Sequence, residues 1–337
     1  MSWRQRVQAA WLQRGPMACA LLPLAGLYAA AVRLRQALYA TGLRRRERLP
    51  VPVVVVGNVI AGGAGKTPTV IAVVQHLQRR GERPGIVSRG YGGRRHEVPH
   101  EVQPDSPAAE VGDEPRLMAR RTGVPVVVGA DRVAAARALL QAHPDTTVIV
   151  SDDGLQHLRL ARDVEILVFD ERGAGNGWWL PAGPLRESAA RRADLLLYNA
   201  PVPSTPRPGF VATRRLGDAV PLAAWRAGDR QGLPLPQLAA RRVLAAAGIA
   251  HPERFFAMLE ALGLRPERLP LPDHAALDPL PWCGWDGDVI LVTEKDAVKL
   301  DAATDPRLHV VALDFEPDPA FFAALDRLLP ASSAPAR

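Results

Sequence analysis

The chain has 337 residues, 47% of them hydrophobic, enough for more than one packed core. Its formal charge of +7 is concentrated: residues 1–50 carry nine arginines against one acid, Glu47, while the other 287 residues carry 33 basic and 34 acidic side chains. A near-neutral body excludes a nucleic-acid binder built on a basic face, and two cysteines, Cys19 and Cys283, exclude a disulfide framework or a cysteine zinc site and suit a reducing compartment.

Residues 15–32 (GPMACALLPLAGLYAAAV) are uncharged and lie between Arg14 and Arg33. A spanning helix needs about 20 apolar residues, so this run is at the short limit, and Pro23 falls inside it. A basic start and the small residues after Tyr28 also fit a signal peptide. A third reading is a helix, or broken helix, lying in a membrane interface with its arginines on anionic headgroups. A fourth is packing against the protein's own core. The run GGAGKT at residues 62–67 has the form of a nucleotide-phosphate loop, and a body that uses nucleotides belongs in the cytoplasm, which weighs against export and favours the interfacial arm, residues 1–40.

Residues 53–68 read VVVVGNVIAGGAGKTP. Four valines suit a strand buried on both faces of a parallel sheet. A glycine-rich turn follows, then a helical run over residues 69–80. Strand, glycine loop and helix N-terminus together make a phosphate cradle of P-loop type. Gly62, Gly63 and Gly65 let the backbone approach phosphate oxygens, with Ala64 and Pro68 in the same loop. Lys66 would reach the β- and γ-phosphates, and the Thr67 hydroxyl would bind Mg²⁺. The strict G-x-x-x-x-G-K-[ST] pattern is not met, because Ile60 stands where its first glycine belongs. Only three residues are lysines, Lys66, Lys295 and Lys299, so a lysine in this loop is hard to ascribe to chance.

Strand candidates alternate with helical stretches at residues 85–88, 125–129, 147–151, 164–170 and 195–199, with a helix over 131–143. This is the pattern of an α/β fold with a mostly parallel sheet. The proline-rich run 201–208 marks a boundary. Two short extended pieces, 210–215 and 222–226, suggest a ribbon. A second set follows: strands at 243–249, 288–293 and 309–313, and a helix over 252–262. The expected architecture is a P-loop lobe (41–208), a ribbon linker (209–230) and a smaller α/β lobe (231–330).

Several motifs could carry chemistry. The strand at 147–151 runs into Asp152 and Asp153, where P-loop enzymes place Mg²⁺ ligands; capping of the turn at Gly154 is the bland alternative. Ser88, Arg89 and Tyr91 lie in SRGYGG, a phosphate or sugar contact or an ordinary turn. In GDEP, Asp113 and Glu114 start a helix; as residue types they read first as an N-cap and a dipole partner, and second as a base and a metal ligand. Asp273–His274 is weak alone. Residues 176–186 (NGWWLPAGPLR) place Asn176, two tryptophans and Arg186 in a glycine-rich loop that, if exposed, suits an amphipathic or lipid-headgroup substrate. TEKD at 293–296 sets its lysine one place late for guanine recognition, so the nucleotide is expected to be ATP.

Taken in order, GNVIAGGAGKTP, SRGYGG, GDEP, DDGLQHLRLARD, GWWLPAGPLRE, PDH and TEKDAVKL resemble the tetraacyldisaccharide 4'-kinase family, over roughly residues 11–313. The resemblance implies two α/β lobes joined by a β-ribbon, with an N-terminal membrane-associating helix. It implies that Mg-ATP phosphorylates the 4'-hydroxyl of a tetraacylated disaccharide 1-phosphate, the lipid A precursor, at the cytoplasmic face of the bacterial inner membrane. By the same resemblance Asp113 takes the hydroxyl proton, with His274 across the cleft tuning or relaying it. Lys66 and Thr67 are then the phosphate and Mg²⁺ residues, and Glu114 and Asp152 serve the metal site with Asp153 close by. Gln156 and His157 share that motif. Leu155 stands where the family usually has an aromatic. No obligate protein partner and no nucleic acid is expected. The competing reading is a P-loop ATPase switch without a lipid acceptor, against which stands Ala61, where such switches commonly carry a second lysine. A non-catalytic membrane-bound nucleotide sensor is a third reading, and it would have no need of Asp113 or His274.

Overall fold

The structure, a computed structural model, describes residues 11–94 and 98–329. The first ten residues of the expected arm and residue 330 lie outside these. The arm is a broken helix, α1 (Pro16–Ala20) and α2 (Leu22–Ala40), interrupted at Leu21. Pro23 falls in the first turn of α2, where its missing N–H costs no helical bond. Only Ala25 and Ala29 of α2 are buried, while Leu22, Leu24, Leu27 and Leu34 are exposed. Among the described residues no helix is long and apolar enough to cross a membrane.

Strand and helix then alternate. β1 (Val53–Gly57), wholly buried, leads through the glycine loop into α3 (Lys66–Arg79). There follow β2 (Pro84–Ser88), the short β3 (His100–Glu101), α4 (Ala108–Val111), α5 (Asp113–Thr122) and β4 (Val126–Val128). α6 (Arg132–Ala142) is capped by Asp131, whose carboxylate accepts the N–H groups of Val133 and Ala134. β5 (Val148–Asp152), β6 (Val164–Asp170) and β7 (Leu195–Asn199) complete the parallel block.

β8 (Phe210–Pro221) is the turning point. Its first residues pair in parallel with β7, Phe210 opposite Leu197, and the rest pairs antiparallel with a strand near the chain's end. α7 (Leu222–Arg226), β9 (Val243–Ala247), α8 (Pro252–Ala261), β10 (Glu267–Pro270), β11 (Val289–Thr293), α9 (Glu294–Ala297), β12 (Leu308–Pro317) and α10 (Pro319–Leu328) follow. The twelve strands form one sheet in the order β10-β9-β11-β12-β8-β7-β6-β1-β5-β2-β4-β3. Its pairings are parallel except β8–β12 and β3–β4. The fold is therefore α/β with a mixed, mostly parallel sheet.

Two expected elements change. The extended piece at 210–215 continues to Pro221, because its pairing with β12 runs from Ala212 opposite Pro317 to Pro221 opposite His309. Residues 222–226 are helical, not extended: Leu222 and Trp225 are the two buried residues of α7, a three-residue spacing that puts both on one helical face.

Candidate active site

β1 lies between β5 and β6, and β5 lies between β1 and β2. Their carboxyl ends therefore bring the glycine loop, Asp152 and Ser88 to one edge of the sheet, where open α/β sheets bind ligands. The loop is shaped by backbone. Gly65 caps α3 with φ +87° and Gly62 has φ +92°, conformations that favour glycine. A side chain at Gly65 would also run into the Asn199 amide, which donates to the Ala64 carbonyl (3.2 Å). Asn58 donates to the Gly62 carbonyl (3.2 Å) and Arg172 to that of Gly63 (2.8 Å). With its carbonyls thus engaged, the loop and the first turn of α3 leave N–H groups for an anion.

Lys66 sits 3.3 Å from Asn58 Oδ1 and 3.7 Å from Asp153 Oδ1. Burial alone would raise the Asp153 carboxyl, but Lys66 and Arg186 bring it down to about 2. Asp152 behaves oppositely: burial, reinforced by Glu114 and Asp153, pushes it up to about 6 despite Lys66 and the Ser88 hydroxyl. Ser88 Oγ donates to Asp152 Oδ2 (2.9 Å), and Asp152 Oδ1 is buried without a hydrogen-bond partner. Thr67 Oγ1 donates to Glu114 Oε2 (3.0 Å). One hydroxyl, two carboxylates and an orphaned oxygen suit Mg²⁺, which usually keeps waters and takes substrate phosphates with one or two carboxylates. Among the described residues no group of three or more His, Cys, Asp and Glu could hold a metal alone.

The other wall is assembled from distant segments. Asp113 opens α5 but is not its cap; Gly112 is. The Asp113 carboxylate is buried and meets His274 Nδ1 at 2.8 and 3.0 Å. Burial would raise Asp113, yet the His274 hydrogen bond and Lys295 hold it below the usual carboxylate range. That hydrogen bond in turn holds His274 above its ordinary value, against burial and Lys295. His274 adopts φ +60°, and a side chain at Gly92 would press on its ring. Lys295 Nζ donates to Glu114 Oε1 and Asp273 Oδ1, both at 3.0 Å, and lies 3.9 Å from Asp113 Oδ2. Burial would lower Lys295, but Glu114, Asp113 and Asp273 hold it above its ordinary value. A cleft lined by residues 63–68, Glu114, Arg214, His251, Arg254 and Lys295 opens beside the glycine loop, and Glu114 and Lys295 tie it to Asp113 and His274.

Thr67, Glu114, Asp113 and His274 are thus linked through Lys295 by hydrogen bonds and ion pairs, and Asp152 is coupled to Glu114 and Lys66 through charge. Ser88 joins them through Asp152. Arg89 is exposed, and the exposed Tyr91 meets the His274 ring edge-on at 5.2 Å. Arg186 grips Asp153 and Asn58. Asn176 stands apart: it is buried, donates to the Ala182 carbonyl (2.9 Å) and accepts from the Trp178 N–H (3.0 Å), holding its own loop. Gln156 donates to the Asn58 carbonyl (3.2 Å), and His157 accepts from the Arg132 N–H (3.2 Å). Leu155 is buried and fills the space beside Gly57, where an added Cβ would meet it at 2.7 Å. Lys295, Asn58 and Asn199 had not been singled out for the site; for Lys295 the scarcity of lysine was the available signal.

A glycine loop at a strand–helix junction, a lysine and threonine behind it and an Asp–His pair tied to it through Glu114 and Lys295 are the parts of a P-loop phosphotransferase. Residues 17–330 match the family Tetraacyldisaccharide-1-P 4'-kinase. The tetraacyldisaccharide 4'-kinase of Methylibium petroleiphilum is 57% identical over 330 residues, 95% of this chain and 92% of that one. The corresponding protein of Leptothrix cholodnii is 56% identical, covering 97% and 96%. A crystal structure of LpxK from Aquifex aeolicus in complex with ATP superposes with a TM-score of 0.78 at 29% identity, covering 93% of this chain and 99% of that one. The chain belongs to the tetraacyldisaccharide 4'-kinase family.

Proposed function

We propose that this tetraacyldisaccharide 4'-kinase transfers the γ-phosphoryl group of ATP from the glycine loop to an acceptor hydroxyl held at the Asp113–His274 pair. The supporting observation is the bridge that joins the two walls: Thr67 to Glu114, and Glu114 to Lys295, at 3.0 Å each. The ATP-bound Aquifex aeolicus relative supports ATP as donor. The loop N–H groups and Lys66 hold the phosphates and offset charge that spreads over the transferring group. Asp113 accepts the proton of the 4'-hydroxyl. A base held below the usual range suffices, because a loose phosphoryl-transfer transition state needs the proton removed late and the acceptor positioned early. His274 keeps the carboxylate ionised and aimed.

Thr67, Glu114 and Asp152 would hold Mg²⁺, which would supply charge neutralisation on the phosphate oxygens. The family's name supports a lipid A precursor as acceptor. The exposed Arg89 and the exposed Tyr91, whose ring meets His274, are free to contact that acceptor, whereas Ser88, Asn176 and Arg186 are engaged by the protein itself. The exposed leucines of α2 and the arginines around it fit an interfacial arm on anionic lipid at the cytoplasmic face of the inner membrane. The two parallel blocks, near 41–208 and 231–330, act as lobes joined through residues 209–230.

The test is transfer of label from γ-labelled ATP to the tetraacyl disaccharide 1-phosphate in detergent with Mg²⁺. Label at the 4' position is expected. Release only as free phosphate, indifferent to the lipid, would identify an ATPase switch. Removing residues 1–33 should weaken vesicle binding; unchanged binding would put the anchor elsewhere.

A further inference from the structure

The arm does more than present leucines. Tyr28 Oη donates to the Arg186 carbonyl (3.2 Å), and its ring meets Trp179 edge-on at 6.3 Å. Gln36 Nε2 donates to Glu187 Oε2 (2.9 Å), and the Arg33 guanidinium lies over the Trp179 ring at 5.3 Å. Upstream, Trp11 Nε1 donates to the Pro181 carbonyl (3.0 Å) and Arg14 Nε to that of Asn176 (3.0 Å). α2 and the segment before it therefore hold the loop 176–187 along its length.

That same loop is zipped to the phosphate cradle. Leu185 bridges Ile60 in antiparallel fashion. The Ala61 N–H donates to the Pro184 carbonyl and the Arg186 N–H to the Val59 carbonyl, both at 2.7 Å. The Arg186 guanidinium then reaches Asp153 Oδ1 (2.9 Å) and Oδ2 (3.2 Å) and the Asn58 carbonyl (2.9 Å). Asn58 and Asp153 are both partners of Lys66. One continuous run of contacts thus leads from a helix with an exposed apolar face to the lysine of the cradle.

We propose that α2 is a positioning element for the phosphate cradle, acting from Tyr28 and Gln36 through the backbone and guanidinium of Arg186 on Asn58 and Asp153, the partners of Lys66. Arg186 is then a positioning residue. Docking of the arm sets the rate of transfer as well as the place where it happens. The inference rests on Lys66 being the phosphate-binding lysine.

The experiment uses the full chain, with Tyr28→Phe, Arg186→Lys and the double variant. Tyr28→Phe removes one hydroxyl and leaves the ring on Trp179. Arg186→Lys keeps the charge and loses the two-pronged grip. Each is measured for kcat, for KM toward ATP and lipid, and for partition onto vesicles of mixed phosphatidylglycerol and phosphatidylethanolamine. Each single change should lower kcat about three- to tenfold, the size of one or two lost hydrogen bonds, with partition unchanged. The double variant should lose little more than Arg186→Lys alone, because both act on one relay. A wild-type kcat for Tyr28→Phe, or losses that multiply independently, would overturn the proposal. Lys66→Ala serves as the reference: should that variant keep full activity, the fault would lie in the assignment of the lysine and not in the relay.

Discussion

The two walls of the cleft are built on different physics. The donor wall is local: Asn58 to Thr67 are consecutive, and their shape is set by two positive-φ glycines and by side chains that hold loop carbonyls. The acceptor wall is assembled from Asp113, His274 and Lys295, the histidine 161 positions from the aspartate. Backbone N–H groups do not titrate, so the loop itself is indifferent to pH, whereas Asp152 beside it is pushed up to about 6. The acceptor wall consists of ionised groups that hold one another in their charged forms, so each depends on its neighbours. A phosphate cradle can be carried within ten residues; an acceptor site that must also close needs parts from both ends of the sheet.

The contrast can be broken most directly at Asp113. Asp113→Asn should lower kcat by about 10²–10⁴ while the ATP dissociation constant stays within about twofold. Turnover at the wild-type rate would remove Asp113 as base, and a large loss of ATP affinity would show that the two walls are not separable. Lys66→Ala should cost about 10²–10³ in kcat, and here ATP binding should fall as well; equilibrium binding with a labelled nucleotide distinguishes the two patterns. Lys295→Gln leaves Glu114, Asp113 and Asp273 without their shared cation. A roughly ten- to hundredfold loss of kcat/KM is expected, with the acid limb of its pH profile moved to higher pH because Asp113 loses a group that favours its ionised form. An unmoved acid limb would mean that Lys295 only ties the walls together.

The smallest effect expected is on stability. His274 is held above its ordinary value of about 6.5, so its contribution is full below that pH and is lost as pH rises through the raised value. Asp113 is held below its ordinary value of about 3.9, so its contribution is present above that pH and is lost as pH falls through the lowered value. The pair therefore stabilises most between about pH 4 and 6.5. The Tm difference between the wild type and His274→Gln should be largest there, a few degrees, and should shrink toward pH 9. A difference constant across pH would assign the loss to packing against Tyr91 instead.

The donor wall was legible in sequence because its information is consecutive: the valine run, the glycines and Lys66 stand next to one another. Asp152 was legible for the same reason, at the end of an apolar strand. Asp113 read first as a cap, and only the family resemblance moved it to the site. Its partner His274 lies in a proline-flanked loop with no periodicity to place it. Lys295 was read only for its failure to match a guanine motif, since nothing local reveals that Glu114 and Asp273 lie within 3.0 Å of it. In the fold, β10 (Glu267–Pro270) escaped notice because none of its four residues is buried, and β3 because it has only two residues. α7 was misread because Leu222 and Trp225, with two alanines between them, resemble a short apolar strand until their spacing is weighed.

β8 has a consequence for how the chain comes to be made. Its first two residues, Phe210 and Val211, pair early with β7, but the partner of the rest is β12, which begins at Leu308. While the intervening residues are synthesised, most of a twelve-residue strand waits with open N–H and C=O groups, the kind of edge that invites pairing with a stranger. Closure comes only in the last stretch of chain. There α10 also fastens the assembly, with Asp326 accepting from Arg80 (2.8 Å) and meeting His76 (2.7 Å) on the helix that begins at Lys66. Premature termination anywhere before β12 would leave an intact phosphate cradle on a molecule with an unsealed seam, a product fit for aggregation or proteolysis.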